Sequence, residues 1–279
     1  MTEGAGEADG TLYVVSTPIG HMGDFSFRAV ETLKSVAAVL AEDTRHTRHL
    51  LDRYAIGTPL LAYHEHNEAR TTPALVARLR GGESFALVSD AGTPLLSDPG
   101  ARLVQAAAEA GVRVSPVPGA SALLAALVAC GLDVDRFTFL GFLARKGPDR
   151  REAIASVVES RITVVLYEAA NRVAGTLAEL AESGAGERET VVARELTKQY
   201  EELRRGTLVQ LAAYYAQSPP RGEVVIVIAG RTPTAASEEL LRARANALRA
   251  EGRSAREVAA ALSAELGAPR NVAYRLAHE

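Results

Sequence analysis

Leu87-Val88-Ser89-Asp90-Ala91-Gly92-Thr93-Pro94-Leu95-Leu96-Ser97-Asp98-Pro99-Gly100 is the stretch on which the fold prediction depends. The apolar run Phe85 to Val88, which leads into it, predicts a short buried strand, and Asp98-Pro99 predicts a helix with Asp98 as N-cap and Pro99 at the first helical position. In an open α/β sheet, ligands bind in loops just beyond the carboxyl ends of strands. Because small residues let a ligand approach the backbone and Asp90 offers a charged acceptor, we expect a binding loop here. The alternative is an ordinary strand-to-helix connection.

Predicted strands and helices alternate between residues 12 and 229, which indicates the α/β class with a mainly parallel, helix-covered sheet in the N-terminal half. The second half continues the α/β character less regularly. The predicted strands are 12–16, 36–41, 60–63, 85–88, 112–117, 137–142, 162–167, 190–194, 199–205 and 223–229. The helices among them are predicted to end at about Leu33 and Ala110 and to span 44–54, 72–80, 150–159, 171–182 and 208–216.

Turn residues and shifts in composition divide the chain into four segments. Residues 1–10, made mainly of Gly, Glu and Ala, predict a disordered tail rather than a signal peptide. The rigid sequence Pro116-Val117-Pro118-Gly119 predicts the boundary between an N-terminal α/β domain, 11–118, and a C-terminal α/β domain, 119–231. From Thr232 the composition changes to Ala, Arg and Glu, which predicts a helical module over 232–279.

The predicted helical module resembles a helix-turn-helix hairpin. Ser254-Ala255-Arg256-Glu257 is a capping box, and the apolar stripe that follows it ends at Gly267, after which Pro269 predicts the start of another helix. Glutamates nearly balance four arginines that could contact phosphate groups: Arg253, Arg256, Arg270 and Arg275. The module is therefore either a nucleic-acid reader or a solvated packing module.

The composition restricts the class of protein. A chain of 279 residues with 47% hydrophobic residues is long enough for two domains with substantial cores. The net charge of −3 and the pI of about 6.1 argue against a general polyanion binder, so nucleic-acid contacts must come from local basic patches. The single cysteine, Cys130, excludes an internal disulfide and is interpreted as a buried hydrophobe. No apolar stretch approaches the length of a membrane span, which predicts a cytoplasmic protein without membrane contact.

Common catalytic and phosphate-binding motifs do not match the sequence. It contains neither G-x-G-x-x-G after a strand nor G-x-x-x-x-G-K-[ST]. Gly119-Ala120-Ser121-Ala122-Leu123 lacks the final Gly of a nucleophile elbow. His64-Glu65-His66 would place two imidazoles on one face of an extended segment, but no convincing third ligand accompanies them, so we predict no metal site.

Two charged segments are further candidates for function. Glu42-Asp43-Thr44-Arg45-His46 follows a buried strand and should project from the same sheet edge as residues 89–100. An N-cap with a charged first turn would explain Asp43 and Thr44, but not the crowding of arginines and histidines that follows. The basic loop from Ala144 to Arg151 suits phosphate groups if it borders a cleft, and is otherwise a solvated surface.

Six segments follow one another in order over about residues 11–230: Thr17-Pro18-Ile19-Gly20, residues 41–47 (AEDTRHT), residues 64–68 (HEHNE), residues 89–100, residues 193–198 (ARELTK) and Gly222-Glu223-Val224-Val225. In this order and with this spacing they resemble the ribosomal RNA small subunit methyltransferase I family, a branch of the tetrapyrrole-methylase-like superfamily. The resemblance implies a two-domain tetrapyrrole-methylase-like fold with a mainly parallel N-terminal sheet, a mixed C-terminal sheet and a small helical module. It also implies 2′-O-methylation of a cytidine at the decoding centre of 16S rRNA in the small ribosomal subunit. The enzyme would be a homodimer that holds S-adenosylmethionine between its two α/β domains.

The resemblance also assigns cofactor-binding positions. The loop after the fourth strand should wrap the methionine and ribose end of the cofactor, through Asp90, Ala91, Gly92, Thr93 and Pro94. Ile19 should flank the cofactor, and the turn after the domain junction should contribute Ala120, Ser121 and Ala122. The ends of strands in the second domain should contact the adenine largely through backbone, at Tyr167, Ala193, Arg194, Glu223 and Val224. For Tyr167 and Ala193, plain strand core is the alternative.

The implied reaction sets what the remaining polar residues must do. Methyl transfer to a ribose hydroxyl is an in-line displacement, to which proximity and orientation can contribute about 7–11 kcal/mol. A base that takes the weakly acidic proton could add a further factor of about 10²–10⁴. Spacing alone does not rank the candidate bases, which are Glu42, Asp43, His46, His64 and Glu195. Our hypothesis is an acid from the Glu42-Asp43 pair, or His64.

Basic and amide side chains are assigned to RNA. Arg45, His46, Asn67 and Lys198 would hold the phosphate and base next to the methylated nucleotide. Arg145, Lys146 and the arginines of the helical module would contact the RNA backbone.

Two other functions are compatible with these residues. A tetrapyrrole C-methyltransferase of the same fold would need neither the basic loop nor the helical module. A non-catalytic RNA-binding assembly factor would bind RNA but not S-adenosylmethionine, so calorimetry with that cofactor would distinguish it.

Overall fold

The computed structural model describes residues 10–231 and 237–279. They form two compact units, one of residues 10–158 and 163–229, and one of residues 159–162, 230–231 and 237–279. Residues 1–9 of the predicted tail, and residues 232–236 of the predicted helical module, lie outside the described residues. Gly10 is buried, and its backbone N–H donates to Leu79 O at 2.7 Å. Within the described ranges, no helix combines the length and apolar character needed to cross a bilayer.

The first sheet is parallel throughout over the described residues. Its strands are β1 (Thr11–Val15), β2 (Ala38–Ala41), β3 (Leu60–Ala62), β4 (Phe85–Val88) and β5 (Arg113–Val117), in the order β3-β2-β4-β1-β5. Every residue of β2 and β4 is buried, as expected for strands that are covered on both faces. The helices are α1 (Phe27–Ser35), α2 (Thr44–Arg53), α3 (Glu68–Arg80) and α4 (Ala101–Glu109).

Side chains that alternate along these strands form two hydrophobic cores, because successive residues of a strand point to opposite faces of the sheet. One core includes Leu33 of α1 and Leu51 of α2, and the other includes Leu79 of α3 and Leu103 of α4. The helices therefore cover both faces, and the loops at the carboxyl ends of the strands are left to form a site.

The second sheet is mixed in the part of the chain that the structure describes. Its strands are β6 (Phe137–Phe142), β7 (Thr163–Ala169), β8 (Glu189–Arg194), β9 (Glu202–Thr207) and β10 (Glu223–Ile228), in the order β6-β7-β10-β8-β9. Of these neighbours, β6 and β7 pair in parallel and the others pair antiparallel. The predicted combination of a parallel and a mixed sheet is confirmed. The helices are α5 (Ala122–Cys130), α6 (Pro148–Glu159), α7 (Val173–Leu180) and α8 (Leu208–Gln217).

The second unit contains helices α9 (Glu238–Ala250), α10 (Ala255–Leu266) and α11 (Arg270–His278). The predicted capping box of Ser254 and Glu257 forms at the start of α10, and Gly267 ends this helix in the left-handed conformation. Two of the four arginines that could contact phosphate form ion pairs within this unit. Arg275 lies 3.1 Å from Glu238, and Arg253 lies 3.8 Å from Glu257.

The sequence prediction is wrong at several boundaries. Asp98 does not cap a helix: α4 begins at Ala101, and Gly100, with a φ of +124°, holds the N-cap position without a side-chain hydrogen bond. Helix α3 begins at Glu68 rather than at residue 72, and β9 begins three residues later than the predicted 199–205 strand, because its register is set by pairing with β8. Residues 65–67 form a turn and do not continue an extended segment, so the geometry assumed for His64 and His66 as metal ligands is absent there.

Candidate functional site

The loops that follow β1, β2 and β4 meet at one edge of the first sheet, because these parallel strands are neighbours. Thr17 and Gly92 form an antiparallel bridge. The N–H of Thr17 donates to Gly92 O at 2.8 Å, and the N–H of Gly92 donates to Thr17 O at 3.1 Å. The backbone N–H of Asp43 donates to Asp90 Oδ1 at 3.2 Å. The three polar segments therefore lie together, as the strand pattern predicts.

Thr93 connects this edge to the residues before α5. Its Oγ1 lies 2.9 Å from Ser16 Oγ and donates to the carbonyl oxygen of Ala120 at 3.1 Å. The neighbouring Gly92 has a φ of +81°, and a Cβ at this position would lie 3.2 Å from Ile19 Cγ2. Glycine is therefore favoured here both by the backbone conformation and by the close approach of the first loop.

A cavity of about 380 Å³ lies between these loops and the ends of β7 and β10. This volume is in the range of small-molecule sites. The wall is largely apolar, and four carboxylates border it: Asp90, Asp98, Glu168 and Glu223. Many of the predicted cofactor-binding residues line the cavity, namely Ile19, Asp90, Ala91, Gly92, Thr93, Ser121, Ala122, Tyr167, Glu223 and Val224.

The other predicted cofactor-binding residues do not line the cavity. Ala193 is fully buried among apolar side chains, so the strand-core alternative describes it. Arg194 forms an ion pair with Glu202 at 2.6 Å. Pro94 is buried, and Ala120 takes part through its carbonyl oxygen, which anchors Thr93.

Sequence reasoning missed much of the wall that the second sheet provides. Apolar residues at strand ends carry no chemical signal, although the turn glycine Gly222 could have been noticed. Its φ is +81°, and a Cβ there would lie 1.9 Å from Glu195 Oε1. The missed lining residues on this side are Phe142, Glu168, Ala169, Leu196, Gly222 and Val225, and those missed in the loop after β4 are Leu96, Ser97 and Asp98.

Asp98 is a lining carboxylate because the loop before it has an unusual backbone. Leu95 and Ser97 have φ values of +76° and +73°, a conformation that non-glycine residues seldom adopt. These turns delay the helix and direct Asp98 to the cavity wall. Burial raises the pKa of Asp98 to about 6, the negative charges of Glu42 and Asp90 add to the rise, and the Ser89 hydroxyl partly offsets it.

The predicted acidic pair after β2 has two different environments. Asp43 is the N-cap of α2 and accepts from the N–H groups of Arg45 at 2.8 Å and His46 at 3.2 Å. These backbone hydrogen bonds lower the pKa of Asp43, which makes it a poor proton acceptor. Glu42 lies beside it, and burial and the charge of Asp90 raise the pKa of its carboxyl group.

His64 and Asn67 belong to the turn after β3. Among the described residues, the buried Nδ1 of His64 has no hydrogen-bond partner. Both ends of the Asn67 amide hold the turn together, since Nδ2 donates to Ala62 O at 2.9 Å and Oδ1 accepts from the His64 N–H at 3.0 Å. The Asn67 amide is therefore engaged in hydrogen bonds that hold the backbone of this turn. These hydrogen bonds compete with the predicted contact between the same amide and RNA.

The basic residues predicted to contact RNA differ in their exposure and in their ion pairs. Arg45 and His46 are exposed at the start of α2, and Arg145 and Lys146 are exposed in the loop after β6. Lys198 Nζ lies 3.0 Å from a carboxylate oxygen of Glu195 and 3.4 Å from one of Glu223. The pKa of Glu195 is lowered by the Lys198 hydrogen bond and the Glu223 N–H, against a rise from partial burial. Glu195 is therefore a weak candidate for the base.

Over residues 10–231 and 237–279, no group of three or more His, Cys, Asp or Glu side chains is arranged to hold a metal ion.

The chain is similar to methyltransferases along most of its length. Residues 11–212 match the Tetrapyrrole (Corrin/Porphyrin) Methylases family. The Ribosomal RNA small subunit methyltransferase I of Synechocystis sp. is 46% identical over 97% of this chain and 98% of its own length. The protein of the same name from Xylella fastidiosa is 47% identical over 95% and 98%, and that from Escherichia coli O157:H7 is 40% identical over 99% and 98%.

Solved structures with less than 25% identity share the fold. A cobalt precorrin-4 methyltransferase has a TM-score of 0.60 and 19% identity, covering 78% of this chain and 94% of its own. Uroporphyrin-III C-methyltransferase from Thermus thermophilus, in complex with S-adenosylhomocysteine, has a TM-score of 0.56 and 20% identity, covering 79% and 97%.

Proposed function

This chain belongs to the tetrapyrrole methylase family and, within it, to the ribosomal RNA small subunit methyltransferase I family, and from that premise we propose that it methylates the 2′-hydroxyl of a cytidine ribose at the decoding centre of 16S rRNA. Its methyl donor is S-adenosylmethionine, and its substrate class is small-subunit ribosomal RNA. The observation that carries the proposal is the cavity between the two sheets, whose first wall is built from the segments that resemble the family.

The residues around the cavity fit this cofactor. Apolar side chains such as Leu196 and Val225 suit an adenine ring, and the carboxylates Asp90 and Glu223 suit ribose hydroxyls and the cationic end of the molecule. The bound cofactor supplies an electrophilic methyl group on a sulfonium, and a ribose hydroxyl becomes a better nucleophile when a nearby base takes its proton.

Asp98 is our candidate for that base. Glu168 is ion-paired with Arg172 at 3.3 Å, Glu223 lies 3.4 Å from Lys198, and Asp90 accepts from a backbone N–H. For Asp98, by contrast, the two charged groups that affect its pKa are the carboxylates Glu42 and Asp90, which both raise it. The Asp98 carboxylate is therefore the cavity-lining group best suited to accept the hydroxyl proton. Glu42 and His64, our sequence-based candidates, would orient the hydroxyl from the neighbouring loops, and the N-cap role of Asp43 would fix the start of α2.

Methyl mapping on ribosomal RNA tests the proposed function. The purified protein would be incubated with methyl-labelled S-adenosylmethionine and small ribosomal subunits from cells that lack the gene. We expect label in 2′-O-methylcytidine at a single position of 16S rRNA, and none with subunits from cells that carry the gene. Label on a base, or transfer only to a tetrapyrrole precursor, would contradict the proposal.

Arg45 at the start of α2 is expected to contact an RNA phosphate. We expect Arg45→Ala to weaken RNA binding and to reduce the slope of log Kd against log salt concentration by about 0.7–0.9, the change for one lost phosphate contact. The matched control is Arg53→Ala, at the exposed C-terminal end of the same helix and about 12 Å further along its axis. Equal slopes for Arg45→Ala and the unaltered protein would remove this contact from the proposal.

The family resemblance implies a homodimer, and α5 offers a surface for it. This helix is apolar on all sides; its inner side is buried, whereas Leu124 and Val128 on its outer side are 54% and 83% exposed. Helices of this kind are normally covered on both sides, so we propose that a second copy of the chain covers α5.

Light scattering after gel filtration tests this interface. We expect the unaltered protein to elute as a dimer and Val128→Asp to shift it toward the monomer, because a charge in an apolar interface is costly. Val209→Asp, at an apolar residue of α8 that is 49% exposed, is the control and should remain dimeric. A monomeric unaltered protein would end the proposal of a homodimer.

The names and identities of the relatives distinguish between an RNA substrate and a tetrapyrrole substrate. The relatives that share 40–47% identity across nearly the whole chain are named as ribosomal RNA methyltransferases, whereas the tetrapyrrole enzymes share the fold at about 20%. This difference favours the RNA substrate over a tetrapyrrole.

We propose the cytoplasm as the location of the protein, because the small-subunit RNA that it would methylate is found there.

A further inference from the structure

A closed polar network lies next to the cavity; we call the set Arg150, Glu168, Arg172, Thr176 and Glu179 the Glu168 network. Glu168 lies in β7 and borders the cavity, and its side chain is 0% exposed. Its Oε2 accepts from Thr176 Oγ1 at 2.6 Å, and its Oε1 lies 3.3 Å from Arg172 Nε. Since a buried carboxylate is stable only when it is paired and hydrogen-bonded, these partners fix its position.

The two arginines of the Glu168 network also hold the backbone after β6. Arg172 donates to Leu143 O at 2.8 Å and to Ala144 O at 3.3 Å, and Arg150 donates to the same Ala144 O at 3.0 Å. Arg150 is held in turn by Glu179 at 2.7 Å and by Thr176 Oγ1 at 3.1 Å. Hydrogen bonds from two arginine side chains therefore fix the backbone immediately before the exposed residues Arg145 and Lys146.

This arrangement joins the cavity wall to the basic loop. At one end, Glu168 lies between Tyr167 and Ala169, which also line the cavity. At the other end, the hydrogen-bonded carbonyl groups of Leu143 and Ala144 fix the position of the backbone at Arg145. Buried ion pairs add little net stability compared with apolar residues of similar volume, so stability alone does not account for this network.

We propose that Arg172 is a positioning residue, which holds the basic loop of Arg145 and Lys146 at a fixed place beside the cofactor cavity so that this loop binds the RNA backbone in register with the methyl donor. The inference rests on the proposed function, because it requires an RNA substrate. It assigns the loop's affinity for RNA to a side chain that does not itself contact RNA.

The variant that tests this role is Arg172→Lys. Lysine keeps a positive charge beside Glu168 but lacks the planar fork that reaches a carboxylate and two carbonyls at once. We expect RNA affinity to fall by about tenfold and the salt slope to fall by about 1.4–1.8, equal to two lost phosphate contacts. Calorimetric affinity for S-adenosylmethionine should stay within about threefold. Arg80→Lys, at an exposed arginine of α3 outside the network and outside the basic loop, should change neither RNA affinity nor cofactor affinity.

A double-mutant cycle separates positioning from general destabilisation. Arg145→Ala with Lys146→Ala should reproduce the loss in RNA affinity, and adding Arg172→Lys to that pair should cause no further loss. Additive effects, or a salt slope unchanged by Arg172→Lys, would overturn the inference. If Arg172→Lys does not fold, Arg150→Lys enters the same cycle with the same expectation. Failure of the unaltered protein to bind small-subunit RNA at all would instead count against the proposed function.

Discussion

Replacing Ala122 with phenylalanine is expected to abolish the binding of S-adenosylmethionine without unfolding the protein. Ala122 is the first residue of α5 and lines the cavity, whose volume is only about 380 Å³. A phenyl ring at this position would occupy space that the cofactor needs. We expect Kd to rise by about 100-fold or more, equal to about 2.7 kcal/mol, and methyl transfer to be lost with it.

Calorimetry with the cofactor alone checks this prediction, and thermal unfolding checks the fold. Leu124→Phe is the matched control, because Leu124 is on the same helix, is 54% exposed and does not line the cavity. The control should bind S-adenosylmethionine as the unaltered protein does. A folded Ala122→Phe variant that binds within threefold of the unaltered protein would show that the cofactor lies elsewhere.

The first wall of this cavity could be predicted from the sequence because its residues carry two signals at once. The apolar run Phe85–Val88 predicts a buried strand, and the small and acidic residues after it predict a loop at the carboxyl end of that strand. The same reasoning applies to β2 and Asp43. Parallel pairing then brings these loops together, as the Asp43–Asp90 hydrogen bond shows.

The second wall could not be predicted in this way. Leu196 lies in the turn after β8 and Val225 lies in β10. Both are apolar, and nothing in their local sequence indicates which cavity they face. The prediction that Asp98 is a helix N-cap is wrong for a different reason. Asp-Pro is a strong local signal for a helix start, but the left-handed conformations of Leu95 and Ser97 delay α4 to Ala101. Leu95 packs against the hydrophobic core beneath the loop, and this tertiary contact outweighs the local preference.

Replacing Asp98 with asparagine is expected to lower the single-turnover rate of methyl transfer by a factor of about 10²–10⁴, the contribution of a positioned general base. Asparagine preserves the size of the side chain but cannot accept the hydroxyl proton. Affinity for S-adenosylmethionine, measured by calorimetry, should change by less than about tenfold. A variant that loses affinity but keeps its rate at saturating cofactor would show that Asp98 binds the cofactor instead.

The pH dependence gives a more specific test of the same residue. Burial raises the pKa of Asp98 to about 6. Because a base must be deprotonated to act, the rate of the unaltered protein should rise with pH up to about 6 and then level off. Asp98→Asn should lose this rise. A rise that persists in Asp98→Asn would assign it to another group, with Glu42, whose pKa is also raised, as the next candidate.

Two neighbours of Asp98 should move the pH profile in opposite directions. The negative charge of Glu42 contributes to the raised pKa of Asp98, so Glu42→Gln should shift the rise to lower pH. The Ser89 hydroxyl favours the ionised carboxylate, so Ser89→Ala should shift the rise to higher pH. Asp90 and Tyr167 also face this part of the cavity and remain unchanged in both variants. A role for Asp98 in packing alone would alter stability but would not produce these opposed shifts, since the shifts require that the rate depends on the ionisation of the Asp98 carboxyl group.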